Sequence, residues 1–322
     1  MAAADFVVGP KAPPAERNII GVVAKVGEKI GGEVIKQRSN AQKVQEIIGG
    51  KATHPVCAIP GGMSKALTED ERQQIEKMGV SAVDFGLFGL DLFRKVVLEN
   101  SDYVELIKSD MYSLNIHNMG LVDENNKVNF YDGKVRVVDT NGKELYKYSP
   151  EEYLDYVAEH IEPFSYLKYP FLKKIGWKGF VEGQDSGIYW ATPLSRLNAA
   201  DGMATPKAQE AYEEFYQTLG GKPVKATLAT HWARLIELLY AAERWVELAR
   251  DPEITSKEVH KIPTETPKEG VGIVEAPRGT LTHHYITDEN GMVQKVNLIV
   301  GTTNNLSLIH ISEPTRPLYI SY

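Results

Sequence analysis

The stretch Glu275-Ala-Pro-Arg-Gly-Thr-Leu-Thr-His-His-Tyr285 gathers the residues best suited to chemistry. Pro277 fixes its own φ and pushes Ala276 out of the helical region, so Arg278 rides on stiff backbone. Gly279 lets a ligand or another backbone segment come close. A guanidinium is permanently charged and presents a planar fork of donors, which suits a small anion or a metal-bound ligand. His283 and His284 fall on opposite faces of a strand, so at most one points inward. No third His, Asp or Glu stands at a matching spacing, which argues against a metal there. The chain has a single cysteine, Cys57, in the loop Thr53-His-Pro-Val-Cys-Ala-Ile-Pro-Gly-Gly62. One thiol excludes an internal disulfide and fits a reducing compartment.

Several elements must position these groups. Apolar spacing predicts a helix over 25–48, closed by Gly49-Gly50. Thr68 followed by Glu71 reads as a capping box opening a helix toward Asn100, and 101–108 reads as a further turn or short helix. Alternating apolar residues over 112–147, broken by Asp123-Glu-Asn-Asn126, Asp132-Gly133 and Asn141-Gly142, predict an antiparallel sheet of three or four strands. Ser149 with Glu152 caps a helix expected to reach Ile161. Amphipathic helices are expected over 206–219 and 226–250, the second stopped by Asp251-Pro252. After a polar loop over 257–270, Arg278 stands at the end of an extended segment and leads into a strand, an Asn290-Gly291 turn and a second strand over 293–300. The fold class expected is mainly α (α+β), a bundle of long helices with small peripheral antiparallel sheets.

The 322 residues carry a net charge of -7 with a pI near 5.7, which argues against nucleic acid as the main partner. Apolar runs such as 85–93 are too short and glycine-interrupted to span a bilayer, and no export signal opens the chain. A cytoplasmic location follows as the expectation. The tail Leu306-Ser-Leu-Ile-His-Ile-Ser-Glu-Pro-Thr-Arg-Pro-Leu-Tyr-Ile-Ser-Tyr322 continues no periodicity and resembles a translated sequencing adaptor. The domain reading is therefore 1–305 native and 306–322 a non-native tail.

Four blocks stand in a telling order: Thr53 to Gly62, Pro193-Leu-Ser-Arg-Leu197 with Asn198-Ala-Ala-Asp201, Glu275 to Gly279, and Val296 to Asn305. In this order the chain resembles the large subunit of nickel-iron hydrogenases over roughly residues 4–305, notably the cytosolic, archaeal-type branch of F420-non-reducing and F420-reducing enzymes. The resemblance implies a Ni-Fe(CN)2CO centre, reversible heterolytic H2 oxidation, a partner in the form of an iron-sulfur small subunit, and further electron-acceptor subunits. It also implies four cysteines in two Cys-x-x-Cys motifs to hold the metals, since soft sulfur suits nickel. Neither motif stands in this sequence, so the chain reads as a partial subunit, expected to be inactive alone.

The resemblance assigns roles residue by residue. Arg278 would hang over the metals as a catalytic residue and bond an iron-bound cyanide, with Pro277 lining the same canopy. Asp5 would pair with that arginine, and Thr302 would donate to the second cyanide. His54 would face the small subunit with its clusters. The alternative is the quinone-pocket subunit of a complex I-like dehydrogenase, which shares the Glu-Ala-Pro-Arg-Gly block but lacks cysteines.

Overall fold

Glycines decide where the first helices stop. The computed structural model describes residues 7–9 and 11–312, and they form two compact units, one from the described residues up to 106 with 235–265 and one from 107–234 with 266–312. In the first unit, Asn18 caps α1 (Ile19–Val26) by accepting from the Ile20 and Gly21 amides. Gly27, at φ 96, separates α1 from α2 (Glu28–Gly49), and Gly50 ends α2 in the left-handed region at φ 80. A short hairpin, β1 (Ala58–Ile59) and β2 (Gly62–Met63), follows. The predicted capping box is present. The Glu71 amide donates to Thr68 Oγ1 at 3.2 Å and the Thr68 amide donates to Glu71 Oε2 at 2.9 Å, opening α3 (Glu69–Phe93). The helix stops short of the expected end at Asn100, because a π-turn over Arg94–Leu98 intervenes before α4 (Ser101–Lys108). Ile47, Ile75 and Ala249 form this unit's core.

Antiparallel pairing builds the second unit. β3 (His117–Val122), β4 (Lys127–Val128), β5 (Lys134–Val138) and β6 (Glu144–Tyr148) occupy the stretch where a sheet of three or four strands is expected. The helix expected from Ser149 to Ile161 is a correction. A 3-10 turn leads only into α5 (Tyr153–Tyr156), after which β7 (Val157–Ile161) pairs antiparallel with β8 (Lys168–Leu172). Val157 and Leu172 are buried as a cross-strand pair, and that burial outweighs the local cap signal. Two short strands, β9 (Tyr189–Trp190) and β10 (Gly202–Met203), add in parallel to β3 and β4 and complete a six-stranded sheet. Between them lies α6 (Pro193–Ala199), every residue of which is buried. Next come α7 (Pro206–Leu219), with the predicted bounds, and, preceded by a 3-10 turn, α8 (Thr230–Arg250), whose residues from Leu235 on belong to the first unit.

The third sheet runs β11 (Glu269–Ala276), β12 (Gly279–Thr287), β13 (Val293–Ile299). A 3-10 turn at Thr303–Asn305 and α9 (Leu306–Ser312) follow. Met119, Leu121, Val135, Val137, Tyr189, Ile273 and Ile299 share one buried cluster, so this sheet and the six-stranded sheet close on a common core.

Candidate functional site at the Pro277-Arg278 turn

The register pairs Ala276 with Gly279, so β11 and β12 are joined by Pro277 and Arg278 alone. Both turn residues are exposed, whereas Gly279 and Thr280 are buried. Gly279 adopts φ 154, and a Cβ there would sit 2.0 Å from the Gly301 carbonyl oxygen and 2.5 Å from that of Ala191. Only glycine fits so close a backbone approach. Arg278 is therefore a charged side chain at the tip of a hairpin whose base is pressed against two other chain segments.

Side chains from separate elements bond the turn's backbone. Arg196 of α6 donates to the Ala276 carbonyl at 3.0 Å, Arg234 of α8 to that of Pro277 at 2.9 Å, and Asn305 to that of Arg278 at 3.0 Å. Asn305 also exchanges bonds with both the amide and the carbonyl of Ala191, each at 3.0 Å. Asn304 donates to the Thr280 carbonyl and accepts from the Tyr189 hydroxyl, both at 2.6 Å.

A buried ion pair lies beneath the turn. Arg196 Nη1 meets Glu275 Oε2 at 2.9 Å, and each side chain is 1% exposed. The other carboxylate oxygen accepts from the Leu121 amide at 2.8 Å and the Thr280 hydroxyl at 3.1 Å. Such a pair persists in the interior only with its remaining hydrogen-bonding capacity satisfied. α6 is in turn fixed at both ends. Thr192 and Ser195 cap its start, while at its end the Ala199 carbonyl accepts from Arg136 and the carbonyl of the capping Ala200 accepts from Tyr212 and Lys222. Burial pushes the Lys222 ammonium down to about 8; the Asp201 carboxylate opposes that shift and Arg136 adds to it.

The predicted site residues are only partly brought together. Pro277 and Arg278 form the turn, Gly301 lies against Gly279, and Thr302, the residue after Gly301, is exposed. Asp5 lies outside the described residues. His54 belongs to the first unit, where it is exposed and holds a left-handed φ of 54, unusual for a residue with a side chain. His283 and His284 do alternate. His284 is buried, bonded to Tyr153 Oη at 2.9 Å and Glu269 Oε1 at 2.8 Å, while His283 contacts the Tyr285 hydroxyl on the other face. Sequence reasoning missed Arg234 and Asn305 as supports of the turn, and Arg196 and Glu275 as a pair. The latent signal was two charged residues set among apolar neighbours in two of the four blocks.

Among the described residues no group of three or more His, Cys, Asp or Glu could hold a metal ion, and Cys57 is a lone buried thiol. The donor set among the described residues therefore does not fit a nickel centre by itself.

A family profile described as nickel-dependent hydrogenase matches residues 91–312. The chain belongs to the nickel-dependent hydrogenase family. It is 50% identical over 308 residues to an F420-non-reducing hydrogenase iron-sulfur subunit of Archaeoglobus profundus, covering 96% of this chain and 63% of that one. Identity to the vhu F420-non-reducing hydrogenase subunit of Methanocaldococcus jannaschii is 42%, covering 95% and 70%. Among solved structures, an NAD+-reducing NiFe hydrogenase in its H2-reduced state aligns with a TM-score of 0.87 at 31% identity, covering 96% of this chain and 66% of that one. The Dm. baculatum NiFeSe hydrogenase aligns at 0.60 with 18% identity, a likeness of fold alone. This hydrogenase-family chain thus spans less than two thirds of the Archaeoglobus relative it matches. The comparisons support the hydrogenase expectation and lend none to the quinone-pocket alternative. Among the described residues no helix is long and apolar enough to cross a membrane.

Proposed function

We propose that this chain is the central part of the large subunit of a nickel-iron hydrogenase that, in its complete form, oxidises H2 reversibly and hands electrons to an iron-sulfur small subunit in the cytoplasm. Further subunits would carry the electron acceptor. The observation that carries this reading is the exposed Arg278 on a backbone held from several sides, in a chain whose relatives are named as F420-non-reducing hydrogenase subunits. A fixed guanidinium orients a small anionic ligand and stabilises developing charge without reorganising at the moment of reaction. Thr302 supplies a hydroxyl donor, and Pro277 removes backbone freedom beside the charge. Asp5 is proposed to pair with Arg278 in the complete subunit, and His54 to face the iron-sulfur partner.

The complete subunit, produced with its partner, tests the reading. Arg278→Lys should lower H2 uptake by about 10²–10³-fold while nickel content by elemental analysis stays that of the parent. Turnover equal to the parent's would overturn the role of Arg278. The chain of 322 residues, produced alone, should retain no stoichiometric nickel after desalting. Bound nickel at one per chain would show that ligands exist here which the donor set does not reveal.

Residues 306–322 we infer to be foreign to the subunit, although Leu306–Ser312 folds as α9 and packs His310 against Phe180 and Tyr169. Sequencing the source gene across codon 305 tests this; a native frame encoding the same residues through Tyr322 would overturn it.

A further inference from the structure

Three consecutive carbonyls, those of Ala276, Pro277 and Arg278, each accept from a side chain, and the three donors come from α6, α8 and the 3-10 turn Thr303–Asn305. A two-residue hairpin connection at a surface ordinarily leaves its outer carbonyls to water, which imposes no direction on the peptide planes. Here each plane is oriented by a donor whose own position is set elsewhere. Arg196 is held by the buried Glu275, and Asn305 by its reciprocal bonds to Ala191. We propose that Arg196, Arg234 and Asn305 are positioning residues that fix the backbone origin of the Arg278 side chain, so that only its own rotamers remain to be set. The proposal rests on the reading of Arg278 as the functional charge.

The reach of an arginine magnifies a small rotation of its peptide plane into a displacement on the scale of the guanidinium itself. Misplacement of a catalytic group by about 1 Å costs on the order of 10²-fold in rate. Proline removes one backbone torsion and the Gly279 contact with Gly301 and Ala191 blocks rigid-body drift of the hairpin base. Neither controls the two peptide planes that flank Arg278. Those are the planes whose carbonyls Arg234 and Asn305 hold. Arg234 and Asn305 therefore bear directly on Arg278, and Arg196 acts one residue earlier, through the strand end.

Arg196 is buried and its removal endangers folding, so the test uses Arg234→Met and Asn305→Ala, with Arg234→Lys as the conservative variant that keeps a donor. Amide hydrogen exchange of the 322-residue chain is the first readout. Exchange within 276–280 should rise by about tenfold in Arg234→Met and Asn305→Ala, with the urea midpoint unmoved, and Arg234→Lys should return toward the parent rate. Unchanged exchange at 276–280 in both variants would overturn the proposal. So would a rise spread over the whole second unit together with a lowered midpoint, the sign of a general structural role. In the complete subunit with its partner, Arg234→Met should lower kcat for H2 uptake about tenfold at unchanged KM, and Arg234→Lys should recover it. The two readings fail separately. Active Arg278→Lys sinks the function of Arg278 and leaves the exchange result standing, whereas unmoved exchange sinks the clamp even where Arg278→Lys is dead.

Discussion

Arg196 and Glu275, 79 positions apart, meet at 2.9 Å with both side chains 1% exposed, and they join α6 to the strand that leads into the Pro277-Arg278 turn. Removing one partner strands the other charge in the interior. Glu275→Gln and Arg196→Met should each cost about 3–5 kcal/mol by urea unfolding. The double variant should cost less than the two together, since its glutamine still accepts the Leu121 amide and no charge is left unpaired. Strict additivity would mean the pair is not coupled.

Gly279 tolerates no side chain. Gly279→Ala places a methyl within 2.0 Å of the Gly301 carbonyl oxygen and demands φ 154 from alanine. The variant should lose about 3 kcal/mol or more, seen as a lowered thermal midpoint or recovery only in the insoluble fraction. Parent-like stability would show that the two backbones do not touch.

Lys222 gives the chain a distinctive alkaline behaviour. Its ammonium titrates near 8 in the folded chain against an ordinary 10.5. Between those values the unfolded chain keeps a proton that the folded chain has released, so this group adds stability as pH rises through the window, and its full penalty is present below it. The unfolding free energy of the parent relative to Lys222→Met should therefore grow between pH 8 and pH 10.5, measured by urea titration at several pH values. A flat difference across that range would refute the buried ammonium.

In the first unit, Thr68→Ala removes one side of the capping box that opens α3. A loss of about 1 kcal/mol is expected. Thr68→Ser should restore it, and equal stability of the alanine variant would show that the box contributes nothing.

Legibility follows distance along the chain. The Thr68–Glu71 box, the proline start of α7 and the Gly50 stop of α2 are local events, and each stands where the sequence signals it. So does the alternation of His283 and His284, because strand periodicity is local too. At Ser149 the cap is legible and the helix length is not, since Val157–Ile161 is claimed by pairing with Lys168–Leu172. The two-residue strands β9 and β10 carry too few residues for any periodic signal, and they exist only through partners far away in sequence. In the candidate site, Pro277, Arg278 and Gly279 announce themselves as stiff, charged and close-packed. Arg234 sits in an amphipathic helix like any exposed cation, and nothing near it in sequence reveals that it donates to the Pro277 carbonyl.

The contact between Gly279 and Gly301 ties the base of the hairpin turn to the exit of β13. A tug on the polypeptide beyond Thr302 is thereby conveyed to the arginine's anchorage without passing through any side chain. The stretch that leaves β13 is thus mechanically in series with the turn that bears the charge.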